Sequence, residues 1–210
     1  MSDVARALQE PWPNLRMQRE GVALGMWIFL ASEVLFFAAL FCSYAVYRSF
    51  NAEAFRIAGA HTEIFYGSIN TVLLLTSSLT MTIALRAATA HMRNLTLFCL
   101  AITAALGCAF LLCKGIEYHD DLTKHLFPGP GFPLAPPATQ MFWGFYWIMT
   151  GIHAVHLSAG IAVVLVVFTV FKCRTIPVQG STMEGVAIYW HFVDSVWLVL
   201  YPLLYLAGRS

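Results

Sequence analysis

The sequence has few charged residues. Of its 210 residues only 11% are Asp, Glu, Lys or Arg, whereas 59% are hydrophobic, and the mean hydropathy is +0.70. An ordinary soluble domain carries about 25% charged and about 45–50% apolar residues. Because a chain of this size leaves a large share of its residues at the surface, the composition argues against a soluble globular enzyme and against a disordered chain. It is typical of a protein whose solvent is the lipid bilayer.

An excess of either charge, a paired-cysteine motif and a signal peptide are also lacking. Twelve Lys and Arg balance eleven Asp and Glu, so nothing indicates a nucleic-acid partner. The five cysteines form no C-x-x-C pair and lie in or beside apolar runs, which favours packing over redox chemistry. Residues 1–20 are polar and have no short apolar core followed by a cleavage site. We therefore expect them to form a cytoplasmic tail.

The sequence contains instead five long apolar stretches. Each is long enough to cross about 30 Å of hydrocarbon, which takes roughly 20 helical residues. They cover residues 22–47, 66–87, 95–113, 141–171 and 185–206. Strands of a membrane barrel would be shorter and would alternate in polarity. The sequence therefore predicts an all-α, polytopic membrane protein in which residues 21–210 form one five-helix transmembrane domain.

The distribution of Lys and Arg predicts the orientation. Seven of these residues lie in the N-terminal tail and in the second and fourth connections, and five lie on the opposite side. Because Lys and Arg accumulate on the cytoplasmic side, we expect the N-terminus inside and the C-terminus outside. The third connection, residues 114–140, is the longest, and we expect it to lie on the outer surface. Its residues 127–137 are rich in proline and glycine, which predicts irregular structure in that segment.

A carboxyl group lies deep in the first span. Glu33 follows about eleven residues of this span, which places it roughly 16 Å into the membrane. A polar group in hydrocarbon needs a partner, so two interpretations are open. Glu33 is either a proton-handling or lipid-facing carboxyl, or a neutral side chain hydrogen-bonded to a neighbouring helix.

The last two spans carry histidines. His153 and His156 share one face of the fourth span, and His191 and Asp194 share one face of the fifth. Imidazole is the commonest transition-metal ligand, so ligation of haem or metal is one interpretation. Depth argues against it, since His156 lies about 22 Å and His191 about 9 Å above the inner helix ends. We expect interhelical hydrogen bonds instead, with Asp194 bound to His191 or to a neighbouring helix.

Four sequence blocks and one residue pair, in this order, carry a family resemblance. The blocks are GMWIFLASEVLFFA around Glu33, NTVLLLTSS in the second span, TGIHAVH in the fourth and YWHFVDSVWL in the fifth, and the pair is Glu117-Tyr118. Together they resemble subunit III of the haem–copper respiratory oxidases, over residues 21–208. Larger members carry two further N-terminal helices that line a lipid cleft. We therefore expect any such cleft here to be completed by another subunit, or to be missing.

The resemblance implies an accessory role. Subunit III of this family binds no haem and no copper, so catalytic, cofactor and metal sites are expected in partner subunits. It packs on subunit I, beside subunit II and other subunits, holds membrane lipids, and supports sustained proton uptake and O₂ access. A structural phospholipid is therefore consistent with the resemblance. The whole complex would be a cytochrome c oxidase of aerobic electron transport, an O₂-reducing, proton-pumping oxidoreductase in a bacterial-type inner membrane.

Within the chain we expect an intramembrane polar network. Its expected members are Glu33, His153, His156, His191 and Asp194, with Glu117 at the outer end of the third helix. Glu33 is the member expected to contact lipid or proton-uptake water. Two other functions stay open. One is a similar accessory subunit of a quinol oxidase or a nitric oxide reductase. The other is a proton-coupled transporter that relays protons through Glu33 and Asp194, although the sequence shows none of the broken, inverted-repeat helices that would support it.

Overall fold

The computed structural model describes residues 15–134, 137–173 and 180–206. Within these ranges the chain is helical and contains no strand. The elements are α1 (Leu15–Phe50), α2 (Ala52–Gly59), α3 (Ile64–Thr89), α4 (Arg93–Thr123), α5 (Ala138–Cys173) and α6 (Gly180–Tyr201), which continues as a π-helical turn (Pro202–Leu206). Five segments are long and apolar enough to cross a membrane. The predicted all-α, five-span architecture is confirmed.

The helices pack around α5 and α6. α3 lies antiparallel to α4 along most of its length, α6 packs against α3 and α5, and α5 also packs against α4. The short helix α2 lies against α5. α1 is peripheral and contacts mainly α6, so large apolar side chains such as Leu24, Trp27 and Leu35 face away from the other helices.

Two of the helices end in the same backbone turn. After α3, His91 has a positive φ of 57°, and the N–H of Met92 donates to the carbonyl of Ala87 at 2.9 Å. After α4, His125 has the same φ, and the turn has the same pattern of hydrogen bonds. These are Schellman turns, whose left-handed position is usually glycine. They satisfy the last carbonyls of both helices.

The third helix continues well past its apolar stretch. That stretch ends at residue 113, with Glu117 expected at the outer end of the helix, but α4 continues to Thr123. The charged residues just after 113 do not reach water, because Lys114, Glu117 and Asp121 are buried on one face of α4. Irregular structure begins after α4, as the prolines and glycines predict, and residues 135 and 136 lie outside the described ranges.

The helix limits also differ near the N-terminus. α1 begins at Leu15, so residues 15–20, expected in the polar tail, are helical. Residues 1–14 lie outside the described ranges, as do Arg174 and Arg209 of the charge count.

The last span ends in a π-helical turn. Pro202 has no N–H to donate into the helix, and an altered turn follows it. The Tyr44 hydroxyl of α1 donates to the carbonyl of Leu203 at 2.9 Å, which fastens this turn to the far end of α1.

Candidate functional site

Glu33 and His156 form a polar pair between α1 and α5. Glu33 Oε2 lies 2.9 Å from His156 Nε2, and His156 Nδ1 lies 2.9 Å from the carbonyl of Ile152. Because a carbonyl only accepts, Nδ1 carries a proton, and one further proton lies between Nε2 and Oε2. The pair has no net charge whether this proton sits on the acid or on the imidazole. The hydrogen bond to a neighbouring helix, one of the two interpretations of Glu33, is present, and the other, a proton-handling or lipid-facing carboxyl, stays a prediction.

Aromatic rings surround this pair. The Tyr189 hydroxyl donates to the carbonyl of His156 at 3.0 Å. The ring of Phe37 meets the His156 ring edge-on at 5.2 Å and also contacts Phe192. The Glu33 side chain keeps 19% of its surface exposed. The pair is therefore held in apolar surroundings but is accessible from one side.

His191 turns towards α3 and not towards Asp194. Its Nδ1 lies 2.6 Å from the Ser78 hydroxyl, and its Nε2 lies 3.4 Å from the hydroxyl of Thr82. Neither carboxyl oxygen of Asp194 has a hydrogen-bond partner among the described residues. Of the two partners expected for Asp194, His191 is wrong, because the hydroxyls of α3 hold its imidazole. On the neighbouring helix α3, the Ser78 hydroxyl is the polar group that acts on the Asp194 carboxyl.

His153 faces the centre of the helix bundle. It is 1% exposed and lies between the rings of Phe110 at 5.6 Å and Trp197 at 5.4 Å. Neither of its ring nitrogens has a hydrogen-bond partner among the described residues. His153 and His156 therefore share a helix face only loosely, since one points into the core and the other towards α1.

The expected single network is thus not formed. Glu33 joins His156, His191 joins α3, Glu117 lies elsewhere, and His153 and Asp194 make no hydrogen bond within the described ranges. Gly160, one turn from His156, packs against Trp190 and Tyr189, so the depth difference between His156 and His191 is smaller than residue counting predicted. The two side chains also point in different directions, His156 towards α1 and His191 towards α3. Among the residues that the structure describes, no three His, Cys, Asp or Glu side chains are arranged to hold a metal ion.

Hydroxyl groups of α3 join it to α6. Ser77 donates to the carbonyl of Leu74 and accepts the indole N–H of Trp190 at 3.1 Å. Thr71 acts in the same way, accepting from Trp197 at 3.1 Å. A hydroxyl bonded back to its own helix still has a lone pair for a second helix. At these two positions a hydroxyl of the second span therefore links two helices.

A buried ionic network lies at one end of α4. It comprises Lys114, Glu117 and Asp121 of α4, Tyr146 of α5 and Tyr205 of the π-helical turn. Lys114 Nζ lies 3.1 Å from Glu117 Oε2, 2.9 Å from the Tyr146 hydroxyl and 2.7 Å from the Tyr205 hydroxyl. These contacts join three elements through side chains with almost no exposure to solvent.

The sequence indicated Glu117 alone among these five. The signal that could have found two more was the spacing of Lys114, Glu117 and Asp121, which places them on one helix face. It was missed because all three residues lie beyond the apolar stretch that predicted the span. Tyr146 and Tyr205 lie in apolar runs, where an aromatic side chain is usually a packing residue.

Comparison with known proteins agrees with this architecture. The family model described as cytochrome c oxidase subunit III matches residues 14–209. The chain is 32% identical over 191 residues to cytochrome c oxidase subunit 3 of Thermostichus vulcanus, covering 89% of this chain and 87% of the relative. It is 29% identical over 209 residues to the subunit of the same name in Alkalihalophilus pseudofirmus, covering 98% and 96%.

A subunit of another oxidase type is equally similar. The chain is 30% identical over 188 residues to cytochrome bo(3) ubiquinol oxidase subunit 3 of Pseudomonas aeruginosa, covering 88% of this chain and 84% of the relative. The family match spans all five membrane-crossing helices and the residue blocks that carry the resemblance. The chain therefore belongs to the cytochrome c oxidase subunit III family.

Proposed function

We propose that this chain is the non-catalytic subunit III of an aerobic terminal oxidase of the cytochrome c type. It packs directly on catalytic subunit I, beside subunit II, in a bacterial-type inner membrane, and it supports sustained proton uptake and O₂ access. Haem and copper belong to those partners. Residues 21–210 act as one transmembrane domain, and residues 1–20 form a cytoplasmic tail.

The observation that carries this proposal is the Glu33–His156 pair. It is a protonatable couple far inside the apolar helices, without net charge and with one-fifth of the Glu33 side chain accessible. A group of this kind can exchange a proton with water or bind a polar lipid group without leaving an unpaired charge in the membrane. It also joins α1, which otherwise packs mainly on α6, to α5. We propose that it supports proton uptake while holding α1 in place, with a phospholipid bound nearby.

Removal of the chain tests the proposed role. The complex is purified with and without this subunit, and O₂ consumption is followed over long turnover with the same electron donor. We expect a similar initial rate and a faster loss of activity without the chain, and recovery of the normal lifetime when the chain is added back. Full activity of the chain-free complex throughout long turnover contradicts the proposal.

A quinol oxidase is the second candidate. The similarity to the Pseudomonas aeruginosa ubiquinol oxidase subunit favours it, because that relative is as similar as those from cytochrome c oxidases. The electron donor binds to other chains, so the subunits that co-purify with this chain decide between the two. A transporter has less support, since the described spans run as continuous helices apart from the turn at Pro202.

A further inference from the structure

The buried network around Lys114 has an uneven charge. Lys114, Glu117 and Asp121 are at most 2% exposed, and Tyr146 and Tyr205 are fully buried. One ammonium group and two carboxylates together give a net charge of −1. An unpaired charge at such a site is strongly destabilising, as it is when one partner of a buried ion pair is removed. The composition of the network therefore calls for one additional proton.

The hydrogen bonds independently require the same proton. Six contacts link the five side chains: Lys114 makes three, the Tyr205 hydroxyl lies 2.6 Å from Glu117, and the Tyr146 hydroxyl lies 2.9 Å from Glu117 and 2.8 Å from Asp121. Each contact needs one hydrogen. The ammonium group supplies three and each phenol one, which leaves one contact without a hydrogen unless a carboxyl is protonated.

The arrangement of donors shows which carboxyl holds it. Glu117 receives the hydrogens of Lys114, Tyr146 and Tyr205, and three donors stabilise a carboxylate. Asp121 contacts only Tyr146, whose single hydrogen is then directed to Glu117. A hydrogen on Asp121 Oδ2 completes the sixth contact by donating to the Tyr146 hydroxyl oxygen.

We infer that Asp121 is a proton-binding site of this chain, holding one exchangeable proton that makes the five-residue network neutral. The site lies near a helix end, because α4 stops at Thr123 and the adjacent Asp120 side chain is 40% exposed. Lys114 lies about 10 Å further along the helix, at a rise of 1.5 Å per residue. Asp121 is thus the member nearest the surface through which a proton enters.

The groups facing Asp121 have other partners. Asp120, its neighbour on α4, accepts a hydrogen bond from Tyr66 of α3, and Lys124 donates to Glu63. Tyr118 shares a hydrogen bond with Thr150 of α5. Among the described contacts Tyr146 is therefore the one hydrogen-bond partner of the Asp121 carboxyl, and Lys124 acts on it through its charge alone. The inference does not depend on the proposed role in proton uptake.

Infrared spectroscopy of the purified complex tests the inference. Aspartate is labelled with ¹³C at the side-chain carboxyl, and spectra are recorded in H₂O and D₂O for the wild type, Asp121→Asn and Asp120→Asn. We expect a protonated-carboxyl C=O band that shifts with the label and in D₂O, that disappears in Asp121→Asn, and that persists in the adjacent control Asp120→Asn.

Assembly of the variants is a second measurement. The introduced amide carries an N–H in place of the carboxyl O–H and no charge, so Asp121→Asn is expected to assemble as the wild type does. Identical carboxyl spectra in the wild type and Asp121→Asn overturn the inference. Failure of Asp121→Asn to assemble, under conditions in which Asp120→Asn assembles, also overturns it.

Discussion

Two groups of polar side chains inside this protein avoid unpaired charge by sharing protons. Glu33 and His156 hold one proton between them, and Lys114, Glu117 and Asp121 reach neutrality when one more is added. Serine and threonine instead donate to their own helix and accept from another, as Ser77 does. Both solutions follow from the absence of water as an alternative partner in hydrocarbon.

Substitution of Glu33 separates the two roles proposed for it. The amide introduced by Glu33→Gln can donate its N–H to the unprotonated Nε2 of His156, so this variant keeps the interhelical bond but has no acidic proton. Glu33→Leu has neither the interhelical hydrogen bond nor an acidic proton. An interhelical hydrogen bond in a membrane contributes about 0.6 kcal/mol on average, up to about 1.7 kcal/mol. We therefore expect Glu33→Gln to resist heat as the wild type does, and Glu33→Leu to be less stable by roughly 1 kcal/mol.

Turnover measurements on the same two variants complete the comparison. Both should lose oxidase activity faster than the wild type during long turnover, because neither has the exchangeable carboxyl proton. If Glu33→Gln has the wild-type lifetime and the wild-type content of bound lipid, Glu33 is a packing residue.

The sequence indicated fairly well which polar residues are buried. It indicated less well which of them contact each other. Glu33 was placed deep in the membrane from its position alone, and a bond to another helix was one of its two interpretations. Its partner depends on the rotation of α1 relative to α5, which the sequence does not state. Lys114 and Asp121 were missed for another reason, because charged residues after an apolar run usually mark the end of a span.

At the scale of elements, helix number followed from hydropathy but helix limits did not. α4 extends ten residues past the end of its apolar stretch at residue 113, to Thr123. Its polar end is held by contacts with α5 and the π-helical turn, which hydropathy does not report. The Schellman turns were likewise unexpected, since histidine occupies the position where glycine is the usual signal.

The turn after α3 offers a test of helix termination. A non-glycine residue in the left-handed region costs about 1–2 kcal/mol, and glycine costs about 0.5–1 kcal/mol in backbone freedom. His91→Gly is therefore expected to stabilise the chain by roughly 0.5–1 kcal/mol. The measurement is the thermal midpoint for loss of this subunit from the purified complex.

The adjacent residue provides the matched control for this prediction. Ala90 has a φ of −83°, so glycine gains nothing there. Ala90→Gly should lower the midpoint while His91→Gly raises it. A lower midpoint in both variants would show that the His91 side chain contributes more than its backbone strain removes.

At the scale of the whole molecule, the charged residues concentrate at the two ends of the bundle. At the end that holds α2, Arg56 pairs with Glu53 and Lys124 pairs with Glu63 at 2.8 Å, and this hydrogen bond raises the pKa of the Lys124 ammonium. At the other end, Arg93 donates to the carbonyl of Lys172 and so ties the start of α4 to the end of α5. The few charged residues of this chain therefore form specific contacts at both ends of the helix bundle.

The orientation of these ends in the membrane is a prediction from the Lys and Arg count. Lys and Arg in short loops favour the cytoplasmic side, and acidic residues contribute little, so the end carrying Arg86, Arg93 and Lys172 should face the cytoplasm. The end with α2 and the Pro/Gly-rich segment, and with it the Asp121 proton site, should then face outward.

Cysteine labelling tests this orientation, because Pro130 and Met92 are exposed at opposite ends of the bundle. A membrane-impermeant maleimide applied to intact spheroplasts should label Pro130→Cys, and Met92→Cys only after lysis, each above the background of the native cysteines. The reverse pattern would place the C-terminus and the Asp121 site on the cytoplasmic side.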